Sequence, residues 1–138
     1  MSKGSVYLDF VGQTEEAMAF YRSIFGGEFR DVNRYSDMPE SENLPEADRQ
    51  LIMHMSLQIS DNLELHASDS LESNGKKMVV GNNFYIMIEP ESREEADRLF
   101  SELSSGGEVE MPMEDAFWGA YFGSLADKYG VQWMIHFE

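Results

Sequence analysis

Ser92-Arg93-Glu94-Glu95-Ala96-Asp97-Arg98-Leu99-Phe100 (SREEADRLF) decides the fold, because the chain has already written a variant of it. That variant is Gln13-Thr14-Glu15-Glu16-Ala17-Met18-Ala19-Phe20-Tyr21 (QTEEAMAFY). Both read as helix starts. Ser92 followed by Glu95 is a capping box, and Glu94 and Glu95 stand where the helix dipole favours negative charge. Ala96, Leu99, Phe100 and Leu103 then fall at i, i+3, i+4 and i+7, one apolar stripe. In the earlier copy Thr14 is the N-cap candidate, and Glu15 and Glu16 fill the first turn. Ala17, Phe20 or Tyr21, Ile24 and Phe25 repeat the stripe. Gly26-Gly27 and Gly106-Gly107 end the two helices with residues suited to a left-handed cap.

What surrounds the helices repeats as well. Apolar runs with strand character precede them, Val6-Tyr7-Leu8 and Phe84-Tyr85-Ile86. Glu15 and Glu94 stand 79 residues apart and Gly26 and Gly106 stand 80 apart, a nearly constant offset. One folding unit written twice explains this. After the first helix, strands are expected at 28–35, 50–59 and 62–67, the last two joined by a Ser60-Asp61 turn. After the second, they are expected at 108–111, 120–126 and 131–137. Asp127-Lys128-Tyr129-Gly130 joins the final pair, with Asp first and Gly fourth as a type I turn prefers. The expected organisation is one domain over 1–138: a first module at 1–68, a joining loop at 69–82 and a second module at 83–138. The stretches 36–49 and 68–82 read as mobile surface loops.

Composition narrows the function. A chain of 138 residues holds one ordinary domain, and 42% hydrophobic residues suffice for a core. A net charge of −16 repels nucleic-acid backbones and anionic membranes, so neither is an expected partner. Without cysteine there is no disulfide, thiolate nucleophile or zinc-thiolate site. Asp9, Gln13, Glu15 and Glu16 interrupt any signal-peptide shape near the start, and a cytoplasmic location is expected.

Alternation along the strands separates two faces. Met53, Met55, Leu57 and Ile59 form an apolar face suited to packing under a helix, which leaves Ile52, His54, Ser56 and Gln58 opposite. Leu63 and Leu65 leave Asn62, Glu64, His66 and Ser68. Val131, Trp133, Ile135 and Phe137 leave Gln132, Met134, His136 and Glu138. All three histidines and Glu64 therefore lie away from the helices. On an ordinary antiparallel sheet such a face is simply wet.

Paired strand-helix-three-strand modules are the plan of the vicinal-oxygen-chelate superfamily of glyoxalases, bleomycin-resistance proteins and extradiol dioxygenases. The chain resembles its PhnB-like branch through Tyr7-Leu8-Asp9-Phe10, Thr14-Glu15-Glu16-Ala17, Phe20-Tyr21 and Phe25-Gly26-Gly27. Further matches are Met53-His54, Phe117-Trp118-Gly119 and, most specifically, Asp127-Lys128-Tyr129-Gly130-Val131-Gln132-Trp133. The resemblance implies an α+β glyoxalase-like fold: two tandem βαβββ modules with curved mixed sheets enclosing a cavity, usually assembled as a homodimer. It also implies that the non-helix faces line the cavity. The ligand-binding candidates are then His54, Ser56, Glu64 and His66, with Gln132, Met134 and His136. Trp118 and Phe122 are added as aromatic groups near the final hairpin. Some members carry a demethylubiquinone-methyltransferase label, yet no glycine-rich strand-to-helix loop for S-adenosylmethionine stands in this sequence.

Metal-dependent members of the superfamily place ligands at positions that correspond here to Val6, Glu64, Phe84 and Met134. Of these only Glu64 offers a suitable oxygen or nitrogen donor, so no metal and no cofactor are expected. A displaced site from Glu64, His66, His54 and His136 is the alternative. Many members also have an arginine after the Trp-Gly pair, where this chain has Tyr121. Three functions follow: a metal-free small-molecule-binding protein, a metal-dependent lyase, isomerase or dioxygenase at the displaced site, and a non-catalytic dimeric module. The first is the expectation, with the ligand's identity and any catalysed reaction left open.

Overall fold

The computed structural model describes residues 2–71, 73, 75 and 77–138. Of the expected joining segment 69–82, Glu72, Asn74 and Lys76 lie outside the described residues. The chain divides into two compact units, Met1–Met78 and Val79–Glu138. The first runs β1 (Val6–Phe10), α1 (Thr14–Phe25), β2 (Phe29–Arg34), a one-turn α2 (Glu46–Arg49), β3 (Ile52–Ser60) and β4 (Leu63–Asp69). The second runs β5 (Ile86–Ile88), α3 (Arg93–Ser104), β6 (Glu108–Asp115), β7 (Tyr121–Ala126) and β8 (Gln132–Phe137). Strand orders are β1-β4-β3-β2 and β5-β8-β7-β6, with the first pair of each sheet parallel and the others antiparallel. The duplicated βαβββ plan is therefore present in both units.

Packing follows the apolar stripes. Ala17, Met18, Tyr21 and Ile24 of α1 are buried with Leu8, Phe10, Met55, Leu57, Leu65 and Ala67 in the first unit. Tyr21 rather than Phe20 carries that stripe. Ala96, Leu99 and Leu103 of α3 are buried with Ile86, Leu125, Trp133 and Ile135 in the second unit. The strand alternation thus has the expected parity, with two departures in β3: Ile52 and Ser56 are buried although they share His54's side.

The glycine pairs have a sharper role than ending helices. A Cβ on Gly27 would stand 2.9 Å from the carbonyl oxygen of Gln58, and one on Gly107 would stand 2.2 Å from that of Ala126. Each second glycine lets the third strand of its own unit, β3 or β7, pass against the chain. The same close approach at the same point of both units is further evidence of duplication.

Several expectations need correction. Thr14 is not the N-cap of α1, because Gln13 holds that position without a side-chain bond. The Thr14 N–H donates instead to Asp69 Oδ1 at 3.0 Å, so β4 continues past Ala67 to deliver a remote cap. Ser92 does cap α3, accepting the Glu95 N–H at 3.0 Å, while Glu95 reaches back to the N–H of Glu91. The opening strand of the second unit is Ile86–Ile88 rather than 84–86, because the parallel ladder to β8 begins at Ile86 opposite Trp133. β6 runs on to Asp115 through Pro112, which an edge strand tolerates. The segment 36–49 contains two 3-10 turns and α2 rather than an irregular loop. Arg49 organises it by donating to the carbonyls of Leu44 and Glu42.

Candidate functional site

On the first sheet, register sets His66 of β4 beside Tyr7 of β1 and Ser56 of β3, and sets His54 beside Asn33 of β2. Side-chain alternation then gathers Tyr7, His54, Ser56, Glu64 and His66 on the face opposite α1. His54 Nε2 stands 2.9 Å from His66 Nδ1, and His66 Nε2 stands 2.7 Å from Glu64 Oε1. His54 Nδ1 stands 3.2 Å from the carbonyl oxygen of Asp31. The result is a line of groups: carbonyl, imidazole, imidazole, carboxylate. Tyr7 covers it, its ring parallel to that of His66 with centroids 6.0 Å apart. Ser56 is buried beneath this face and donates to the carbonyl of Arg30 at 3.3 Å.

β2 is shaped to complete the line. Its pairing with β3 shifts between Arg30 and Asn33, and Asp31 lies there at φ 52°, a left-handed conformation uncommon outside glycine. That bulge turns the Asp31 carbonyl toward His54, and Asn33 Nδ2 donates to the same oxygen at 3.2 Å. The sequence alternation did not nominate Asp31 or Tyr7. Tyr7 was legible in principle, since Leu8 and Phe10 define the helix side of β1. Asp31 was not, because a bulge has no fixed residue signature.

The second sheet places Phe122, Gln132, Met134 and His136 on its corresponding face. Phe122 meets His136 edge-on with ring centroids 6.3 Å apart, and Trp118 stands 6.4 Å from Phe122. Phe117 at the β6–β7 turn is 98% exposed and lies edge-on to Trp118. Gln132 donates to the carbonyl of Phe84 at 2.6 Å. Glu110 was also missed. Its carboxylate accepts the Tyr85 hydroxyl at 2.6 Å and the buried Ser124 hydroxyl at 2.7 Å. Those bonds, Tyr85's first, hold the Glu110 carboxyl below its usual range, while the Glu110 contact pushes the Tyr85 phenol up.

These residues do not fit the superfamily's metal. Val6 alternates with Leu8 and Phe10 toward the helix, so the β1 residue on Glu64's face is Tyr7. The two units correspond where Gln58 and Ala126 close over Gly27 and Gly107, and those strand residues pair with Glu64 and Gln132. Gln132, not Met134, thus matches Glu64, and Met134 matches His66. The displaced set fails on geometry too: His54 and Glu64 meet opposite corners of the His66 ring and do not converge on one point. Among the described residues, no group of three or more His, Asp or Glu is arranged to hold a metal ion. Two open depressions of the first unit, of about 390 and 310 Å³, are lined around Gln58 and around Arg22 and lie away from the histidine pair.

Comparison with known proteins agrees with this architecture. Residues 2–136 match the family described as 3-demethylubiquinone-9 3-methyltransferase. Protein YjdN of Escherichia coli is 32% identical over 96% of this chain and 92% of its own length. The crystal structure of PA1353 from Pseudomonas aeruginosa is 33% identical with a TM-score of 0.87, covering 100% of this chain and 98% of that one. The PhnB protein from Bacillus cereus is 28% identical with a TM-score of 0.81, covering 99% and 100%. More distant structures of the glyoxalase/bleomycin resistance/dioxygenase family share the fold alone. The chain belongs to the 3-demethylubiquinone-9 3-methyltransferase family, the PhnB-like branch of the glyoxalase fold.

Proposed function

We propose that this family member is a small-molecule-binding protein that works without a metal, with the polar face of the first sheet as its ligand surface. The observation that carries this reading is the line from Asp31 through His54 and His66 to Glu64, under the half-exposed ring of Tyr7. A few oriented polar groups beside an aromatic plane are what recognition of a small organic molecule requires. Trp118, Phe122, Gln132, Met134 and His136 offer a second, more apolar set on the other sheet. The family's description names a methyltransferase, but the turn ahead of α1 carries the single glycine Gly12, and the pairs Gly26-Gly27 and Gly106-Gly107 stand behind their helices. A nucleotide-type cofactor is instead met by a glycine-rich turn ahead of a helix.

Mass spectrometry of small molecules carried through native purification tests the reading directly. A bound organic compound, released by His66→Ala, supports it. About one zinc, nickel or iron per chain by elemental analysis overturns it. A metabolite panel that leaves the melting temperature unchanged favours a non-catalytic module instead. The protein is further expected to act as a homodimer in the cytoplasm. Analytical ultracentrifugation giving a monomer would remove the first of these expectations. Among the described residues, no helix is long and apolar enough to cross a membrane.

A further inference from the structure

The line of groups on the first sheet fixes its own proton inventory. Three contacts at hydrogen-bond distance join the Asp31 carbonyl, His54, His66 and Glu64, at 3.2, 2.9 and 2.7 Å. A carbonyl and an ionised carboxylate bring no proton, and two neutral imidazoles bring two. Three contacts need three protons, whichever tautomers the rings adopt. If all three contacts are hydrogen bonds, the line needs one more, an imidazolium facing a carboxylate, counted for the assembly rather than for one residue. Withdraw it and one contact becomes two lone pairs face to face. The Asp31 contact is the one to fail, because it is the longest of the three and rests on a left-handed residue in a bulge. The opposite end is short and largely shielded, with His66 and Glu64 side chains 26% and 18% exposed.

Resting on the reading that this face binds the ligand, we infer that the His54 Nδ1–H is the donor offered to it, and that the Asp31 carbonyl stands where a ligand oxygen would be accepted. The ligand class is a small planar molecule bearing an acceptor oxygen, a ketone or a carboxylate, with its ring against Tyr7. Binding breaks the His54–Asp31 hydrogen bond and forms one from the same N–H to the ligand, with no change in proton count. By register, the ionisable groups sharing this face beside the line are Tyr7 and Asp9 of β1 and Arg30 of β2. Asp9 accepts the Ser68 hydroxyl at 3.3 Å.

Imidazole ¹⁵N spectra of the full chain at neutral pH test both parts. One ring should show the imidazolium signature in the wild type and lose it in Glu64→Gln, whose amide oxygen keeps the hydrogen bond without the charge. Benzoate and acetophenone, the carboxylate and ketone probes, should each move the His54 Nδ1 resonance, and benzylamine should not. His54→Gln, checked for an unchanged melt, should weaken whichever probe binds by about tenfold, the loss of one bond to a charged donor. Two neutral rings in the wild type, or benzylamine acting like benzoate, would overturn the donor assignment. So would no response at His54 to any probe up to millimolar concentration. Probes that bind while moving only Trp118 and Phe122 would overturn the donor assignment yet leave the small-molecule reading standing.

Discussion

The two units build the same βαβββ frame with opposite chemistry at corresponding places. α1 is tied to the end of β2 by Glu15 against Arg34, and α3 to the end of β6 by Arg93 against Asp115, so acid and base have exchanged elements. Arg93 also lies over the Tyr121 ring, whose hydroxyl meets Asp97. The helix of the first unit is capped by a carboxylate from its last strand, and the helix of the second by its own Ser92. On the faces away from the helices, His54 and His66 correspond to Phe122 and Met134. The first unit has a histidine–carboxylate line where the second sets Phe122 and Met134 among Gln132, His136 and Ser124. Duplication kept the backbone, including its two closely approached glycines, and released the side chains.

The contrast breaks most visibly at the cores. Trp133 and Leu65 occupy the same register position, both fully buried. Trp133→Ala should cost about 3–5 kcal/mol, at or above the roughly 2–5 kcal/mol expected for Leu65→Ala. It also takes away the indole N–H that Asp127 accepts at 2.8 Å. Chemical denaturation of both variants checks the ranking, and a tolerated Trp133→Ala would mean that the second unit's strand parity is wrong. The glycines come next. Gly107→Ala should destabilise more than Gly27→Ala, within or above the usual ~1–3 kcal/mol for overpacking, because its Cβ meets backbone at 2.2 Å, although Gly27→Ala adds strain at φ 93°. Equal melts would show that the close approach relaxes.

The caps sharpen the comparison further. Asp69 Oδ1 and Oδ2 accept the N–H groups of Thr14 and Ile52 in a buried setting. An amide can serve only one of them, so Asp69→Asn should cost about 1–3 kcal/mol. Ser92→Ala, at an exposed cap, should cost about 1 kcal/mol. Denaturant midpoints giving the reverse order would undo the claim that the two helix starts are held differently. The smallest effect is electrostatic. Hydrogen bonds from Arg34 hold the Glu15 carboxyl below its ordinary range. A depressed carboxylate adds stability above its unfolded range, near pH 4.3, and loses it as pH falls through the lower folded value. With the Glu15 side chain 64% exposed, solvent screening keeps this well under ~1 kcal/mol. Glu15→Gln should remove that part of the acid-side slope of stability against pH and leave the alkaline side unchanged.

Much of this was legible in the chain because it is local. Capped helices, glycine pairs and period-two alternation each depend on residues a few positions apart, and they gave the repeat, the packing faces and the side on which all three histidines lie. What escaped depends on distant partners. Asp69 reads as the first residue of a polar loop until β4 is seen to end beside Thr14. The histidine line needs register between β3 and β4 and a bulge in β2, neither of which residue type announces. The carry-over of superfamily ligand positions slipped for the same reason. Val6 and Met134 follow motif spacing, whereas the hydrogen-bonded ladders put Tyr7 and Gln132 there.

The Asp69 cap also bears on the order in which the chain folds. Its contact with Thr14 spans 55 residues, whereas Ser92 closes on Glu95 three residues away. Loop closure must precede any reward from a long-range contact, so local contacts form first. α3 can complete its first turn while its strands are still unpaired. In α1 the Gln13 carbonyl accepts the Ala17 N–H locally, but the Thr14 N–H meets its acceptor only once β4 has docked beside β1.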